Sequence, residues 1–390
     1  MKDILSVSGF ENEYIKANDY DLVCLSHLRW NFVYQRPQHL LSRFAKTRRV
    51  FFFEEPIYSD EPTKLKITSG EDNLFVVVPH ISNTNKEAGK VEQIQREMLD
   101  RLVRAEQIKD FVLWFNTPTA FGFASHLKPR AIVYDCMDEL SAFKFAPPEL
   151  LSNEKRLLEK AALVFTGGQS LYEAKKNRHE RVYAFPSSID TAHFRQARNI
   201  KKDPADQKSI ASPKLGYCGV IDERIDISLL AEMADLRPEW QFVMIGPVVK
   251  IKEEDLPRRA NIHYLGGKDY KELPKYMAGW NIALMPFAIN ESTKFISPTK
   301  TPEYLAAGKP VVSTPIRDVV RPYGEMNLVH IASTAQEFVA ACEKALRENS
   351  EEKTKQADEF LAQTSWDKTF SEMANLIDEV VGKRTKASIA

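Results

Sequence analysis

Short apolar runs recur along almost the whole chain, each followed by a stretch with helical spacing, and this alternation restricts the fold more than any single motif does. DLVCLS (21–26) reads as a buried strand, and RPQHLLSRFAK (36–46) as a helix with Pro37 in its first turn. RVFFFEEP (49–56), FVLWFN (111–116), AIVYDCMD (131–138) and ALVFTG (162–167) continue the strand series. KLKITSGEDNLFVVVPH (64–80) has the form of a hairpin, and 87–109 that of a long amphipathic helix. A second series follows in KLGYCGVI (214–221), QFVMIGP (241–247), NIHYLGG (261–267), NIALMPF (281–287), PVVSTP (310–315) and NLVHIAS (327–333). Strands that alternate with helices and are apolar throughout form parallel sheets covered on both faces.

The fold class expected is therefore α/β, with two Rossmann-like doubly wound domains facing a cleft. At 390 residues the chain is long enough for two cores. The polar segment 185–214 reads as the linker. The expected division is an amino-terminal domain over 1–190, a carboxyl-terminal domain over 191–365, and a last helix over 366–390. In sheets of this kind ligands bind beyond the carboxyl ends of the strands.

Composition narrows the function. The 54 basic and 54 acidic residues cancel, so net charge does not point to nucleic acid. The four cysteines stand far apart, in no zinc-like spacing, and read as free thiols in a reducing compartment. Residues 1–21 lack the apolar core of a secretory leader, and no run is long enough to span a membrane. A cytoplasmic protein is expected. Basic patches at 46–49 and 175–178 leave a peripheral contact with anionic lipid open, although a solvated face is the simpler reading.

SPTKTPEYLAAGKPVVSTP (297–315) is the most informative stretch. Thr299 or Thr301 is placed to cap a short helix, Pro302 suits its first turn, and Gly308 followed by Pro310 stops it. Free amides at such an end attract an anion, and Lys300 adds a full positive charge there. Glu303 suits sugar hydroxyls. A diphosphate joined to ribose would use both, whereas the plainer alternative is a well-capped helix and nothing more.

With that stretch on the page, the chain resembles the GT-B fold glycosyltransferases of the group 1 type. SPTKTPEYLAAGKPVV is similar to their nucleotide-diphosphate segment, and 261–287 to the segment that precedes it. LGYCGVIDERIDISLLAEMA (215–234) resembles their first carboxyl-domain strand, phosphate-facing loop and helix. WNFVYQRPQHLLSRFAK (30–46), VYDCMDELSAF (133–143) and FPSSIDTAHF (185–194) resemble bacterial members that build surface polysaccharides. The resemblance implies that Gly219 and Arg224 lie near the donor diphosphate and that Leu265 and Gly266 flank the base. It implies that Lys300 and Thr301 contact phosphate, that Glu303 contacts ribose, and that the last helix crosses back to the amino-terminal domain. Many retaining members carry a further glutamate eight positions before the counterpart of Glu303; here that position is Phe295. Retention or inversion stays open.

The implied reaction moves a sugar from a nucleotide donor, UDP-linked, to a saccharide or lipid-linked acceptor. No cofactor and no metal are expected, because Lys, Arg and helix amides can neutralise a leaving diphosphate. Asp138, just beyond an apolar strand, is the candidate general base; the competing reading makes it a helix cap, with Asp135 inward. Trp30, Tyr34 and Arg36 form a loop suited to stacking on a sugar or holding an acceptor phosphate, and His27 follows the first strand. Two alternatives remain: a catalytically silent binder of nucleotide sugars or glycans, and a sugar-nucleotide epimerase of the same fold.

Overall fold

The computed structural model describes residues 20–348 and 350–387. The segment 1–19, most of the stretch read as lacking a leader, lies outside the described residues. The chain forms two compact units. Among the described residues, unit 1 takes 20–167, 172–184 and 370–387, and unit 2 takes 168–171, 185–348 and 350–369.

Among the described residues, unit 1 is built on a nine-stranded sheet. Its strands are β1 (Asp21–Leu25), β2 (Val50–Phe53), β3 (Ile57–Ser59), β4 (Lys64–Ser69), β5 (Leu74–Ser82), β6 (Phe111–Phe115), β7 (Ala131–Cys136), β8 (Leu163–Thr166) and β9 (Val182–Ala184). Their order is β3-β5-β2-β1-β6-β7-β8-β9, parallel along this path, with β4 antiparallel to β5 as the hairpin pattern predicts. Strand order reverses between β1 and β6, so the switch point lies where both strands end. The central strands are apolar on both faces because helices cover both; VFFF in β2 is buried throughout.

Unit 2 carries a six-stranded parallel sheet: β10 (Lys214–Cys218), β11 (Gln241–Ile245), β12 (Ile262–Gly266), β13 (Ile282–Met285), β14 (Val311–Ser313) and β15 (His330–Ile331). The order β12-β11-β10-β13-β14-β15 puts its switch point between β10 and β13. A close contact fixes β10: a methyl on Gly216 would stand 2.0 Å from the Trp280 ring, whose Nε1 donates to Gln207 Oε1 at 3.0 Å. Only a residue without a side chain lets that indole lie on the strand.

Two sequence readings are corrected here. The polar segment 185–214 is not a linker, because Ile189, Phe194, Ala197 and Ile210 are buried in the core of unit 2. Arg198 ties the same segment to Asp358 through two hydrogen bonds of 2.8 Å. A polar average concealed four apolar residues spaced widely enough to reach one core. Lys175, read as part of a solvated basic patch, is 1% exposed and pairs with Glu139 at 2.7 Å and Glu154 at 2.6 Å. Two carboxylates compensate the cost of burying the ammonium.

The last helix, Trp366–Ala387, leaves unit 2 at Thr369 and continues in unit 1. There Phe370 meets Phe44 edge-on at 4.8 Å. Tyr20 donates to Asp378 at 2.6 Å, and the Arg48 guanidinium lies 4.2 Å from the centre of the Tyr20 ring. Among the described residues no helix is long and apolar enough to cross a membrane.

These contacts generate a stability prediction. A chain ending at Thr369 loses the cover over Phe44 and Tyr20. Amide hydrogen exchange in β1 and in Arg36–Ala45 should accelerate roughly tenfold or more, while β11 keeps its protection. Equal acceleration in both units would show that the helix stabilises the chain globally rather than through unit 1.

Candidate functional site

The donor-side candidates gather at the switch point of unit 2. Gly219 follows β10 with φ +155°, a backbone state that side chains rarely adopt. A methyl there would stand 2.1 Å from Lys300 Cε and 2.5 Å from Nζ, so the lysine chain lies across bare backbone. The ammonium sits 5.7 Å from the centre of the Tyr217 ring. The ends of three neighbouring strands are tied together: Gly219 N donates to Ile245 O at 2.8 Å, and Gly246 N to Gly266 O at 2.9 Å.

Lys300 opens the helix Lys300–Ala306. Gly308 ends it with φ +72°, as its place before Pro310 predicts. The expected cap is different. Thr299 has helical backbone and no capping hydrogen bond, and its hydroxyl is drawn to the Glu303 carboxylate instead. Thr301 is fully buried within the helix, with Oγ1 3.5 Å from Met285 Sδ, so its side chain belongs to the core. The helix is anchored from below by Tyr304, whose hydroxyl accepts from Cys218 N at 2.7 Å.

Burial sets the charges of this end. It pushes Glu303 up to about 7, against the pull of Lys300 and the Thr299 hydroxyl. It lowers Lys300, opposed by Glu303 and reinforced by Arg224. The two groups are thus held in a poorly solvated corner in which each favours the other's charge. Arg224 sits in the loop after β10, its Nε and Nη2 on the Asp222 carboxylate at 2.9 and 2.7 Å. Its charge is therefore shared with a buried acid. Leu265 is half-buried and Gly266 exposed at the end of β12. Phe295 is half-buried, with Lys294 Nζ 5.5 Å from the centre of its ring.

In unit 1, Asp138 lies two residues beyond β7 and is partly exposed. Its loop is pinned on one side by Cys136 Sγ, 3.6 Å from Asp138 O. On the other, Glu139 is held by Lys175 and by Ser141 Oγ, the latter at 2.7 Å. Asp135 is the inward carboxylate: it is 1% exposed and takes Arg36 Nε and Nη2 at 3.1 and 2.8 Å. Arg36 is thus 5% exposed and neutralised inside the fold, which removes the rationale for its holding an acceptor phosphate. Trp30 lies edge-on to Phe52 at 5.1 Å, its backbone N–H donating to Glu54 at 2.8 Å. Tyr34 is exposed and packs edge-on to His39 at 4.7 Å. His27, just after β1, is half-buried.

Sequence reasoning missed Arg29 and Glu54. Arg29 donates to Glu54 at 3.0 Å and to Pro56 O at 3.0 Å, clamping the loops after β1 and β2. Their signal was available: both stand just past neighbouring parallel strands.

Comparison with known proteins bears on unit 2 and on the fold. Residues 212–348 match the family described as Glycosyl transferases group 1. TuaH of Bacillus subtilis (strain 168), described as a teichuronic acid biosynthesis glycosyltransferase, is 25% identical over 282 residues, 67% of this chain and 70% of that protein. Among solved structures, a trehalose-6-phosphate protein from E. coli bound with UDP-2-fluoro glucose superposes with a TM-score of 0.65 at 13% identity, covering 93% of this chain and 99% of that one. Sucrose-phosphate synthase from Thermosynechococcus elongatus gives 0.64 at 14%, over 93% and 100%. Anabaena HepE in complex with UDP and glucose gives 0.62 at 15%, over 92% and 100%. Residues 212–348, which contain Gly219, Lys300 and Glu303, are thus a group 1 glycosyltransferase domain, in a chain that has the GT-B fold.

Proposed function

We propose that the chain transfers a sugar from a UDP-sugar to a saccharide hydroxyl in the synthesis of a bacterial surface polysaccharide, without a metal ion. The observation that carries this reading is Lys300 laid over Gly219 beside Glu303 at the switch point of unit 2. Bare backbone admits a diphosphate closely, and the ammonium with the first amides of the helix stabilises the charge that grows on it as the glycosidic bond breaks. Arg224 contributes less, because Asp222 already shares its charge. Glu303 as carboxylate accepts the two ribose hydroxyls, and Leu265 and Gly266 bound the base. UDP in the E. coli and Anabaena structures supports the choice of donor, and the description of TuaH supports the choice of product.

In this reading unit 1 carries the acceptor. Asp138, at the carboxyl edge of the first sheet on a loop fixed through Glu139, takes the proton from the attacking hydroxyl as it bonds to the anomeric carbon. That displacement inverts the anomeric centre and releases UDP. Phe295 supplies no carboxylate to the donor sugar and is consistent with this course.

Three measurements test the assignment. Lys300→Ala should weaken UDP binding by roughly 1.5–3 kcal/mol by titration calorimetry, and unchanged affinity would remove Lys300 from the site. Asp138→Asn should lower kcat by about 10²–10⁴ with UDP affinity unaltered; full activity would reject it as the base. Glu303 gives a pH signature. Its folded pKa lies above that of an unfolded glutamate, so the native state binds the extra proton between about 4.5 and 7. Its contribution to stability falls as pH rises across that window, whereas donor affinity climbs as the carboxylate forms. Glu303→Gln should flatten both trends, and a variant that keeps the wild-type slope in UDP affinity would exclude Glu303 from ribose binding.

A further inference from the structure

Asp138 stands between two residues that unit 1 holds in place. On its amino side, Met137 passes close over Gly167. A methyl there would stand 2.6 Å from Met137 O and 3.0 Å from its Cα, so the approach requires a residue without a side chain. Gly167 N also donates to Cys136 O at 2.8 Å, which carries the β7–β8 ladder one step beyond the strands. On its carboxyl side, Glu139 meets Lys175 Nζ at 2.7 Å and accepts from Ser141 Oγ at 2.7 Å, while its carbonyl accepts from Ala142 N at 2.9 Å. The backbone is thus fixed on both sides of a residue whose own side chain remains partly exposed.

Lys175 does more than neutralise its surroundings. It ends the helix Gln169–Lys175 and faces Glu154 on the helix Leu150–Lys160. Glu154 already has three donors on two oxygens. Its Oε1 accepts from Lys175 at 2.6 Å and from the Tyr134 hydroxyl at 3.1 Å, and its Oε2 accepts from Arg178 at 2.7 Å. Burying the lysine therefore requires Glu154 alone, and Glu139, the more exposed of the two carboxylates, is the member that the core does not need. A carboxylate with water in reach gains little from an ion pair. Drawn to an ammonium that is 1% exposed, however, it brings its backbone with it. Burial works to lower the Lys175 pKa, but Glu154 and Glu139 more than offset this and raise it above the usual lysine value. The anchor is accordingly charged at neutral pH.

A general base has to lie within hydrogen-bond reach of the proton it takes, and a misplacement of about 1 Å can cost roughly 10²-fold in rate. We propose that Lys175 and Glu139 are positioning residues for the transfer: the buried ammonium holds Glu139 and, with Gly167 beneath Met137, sets the place from which Asp138 meets the acceptor hydroxyl. This rests on the reading of Asp138 as the base.

The test uses the full chain and follows UDP release from UDP-glucose, UDP-galactose, UDP-N-acetylglucosamine and UDP-glucuronate, taking the donor that the unaltered chain turns over fastest. Glu139→Ala and Lys175→Met should each lower kcat about ten- to hundredfold, with the donor KM little changed. Glu139→Gln, which can still accept from Lys175, should recover most of the loss. Glu154→Gln is the control. It removes a charge from the same lysine without touching the Asp138 loop, so it should lower the melting temperature and leave kcat within about twofold. Amide exchange separates displacement from unfolding: at 138–142 it should quicken in Glu139→Ala, while β6 keeps its protection. Should Lys175→Met fail to fold, the two Glu139 variants decide alone. Equal losses of kcat in Glu154→Gln and Glu139→Ala would show that the network acts through stability only, and would overturn the proposal. Unchanged kcat in Glu139→Ala would overturn it too. Asp138→Asn reports on the base itself. If it loses turnover while Glu139→Ala keeps it, the base stands and the positioning fails. If Asp138→Asn keeps full turnover, the base reading fails and the positioning falls with it. No UDP release from any of the four donors refutes both.

Discussion

The Lys300 end of the short helix in unit 2 depends on a missing side chain. Lys300 occupies the space that any Cβ at position 219 would fill, with 2.1 Å to its Cε as the measure of the conflict. The positive φ at Gly219 and the lysine above it are therefore one feature rather than two. Around them the fold supplies rigidity. Tyr304 locks the helix to Cys218, and Gly219 just after β10 and Gly246 just after β11 each donate to the last residue of the neighbouring strand. An ammonium held in this way need not reorganise when charge develops on a leaving group, which is the property an electrostatic catalyst requires.

What the sequence makes legible follows from the range of the interactions involved. The strand–helix alternation and the stop at Gly308 depend on neighbours a few residues away, and the structure agrees with both. The helix start is also local, yet Thr299 does not cap, because its hydroxyl turns to Glu303, whose burial no local pattern announces. Arg36 and Asp135 stand 99 residues apart. Nothing in either segment tells an arginine facing an acceptor from one sealed against a carboxylate. The segment 185–214 failed for the complementary reason: composition was averaged over a stretch in which a few apolar residues decide the packing.

Unit 1 treats buried charge by a consistent rule. Arg36 meets Asp135, Lys175 meets Glu139 and Glu154, and Arg178 joins Glu154 at 2.7 Å. Such pairs add little net stability against apolar replacements, but removing one partner strands the other. Their consequence here is positional. The Lys175 cluster reaches through Glu139 to the loop carrying Asp138, so a network deep in the unit sets where a candidate base is presented. The raised pKa of the buried Cys136 thiol beside this cluster follows from the same desolvation, and marks it as packing rather than chemistry.

A net charge of zero, read first as the absence of a preference, is better understood as a sum over unlike places. The switch point of unit 2 presents Lys300 on bare backbone, suited to an anion. The switch point of unit 1 is lined by Ser26, Thr117, Glu54 and the Phe53 and Phe123 rings. The two sheets share a topology that puts their reversals at the carboxyl edge, and topology alone gives them the same site. What differs is which side chains the chain spends there. The difference between the two is accordingly carried by a handful of residues just past the strand ends, where loops tolerate change that the sheets beneath them do not.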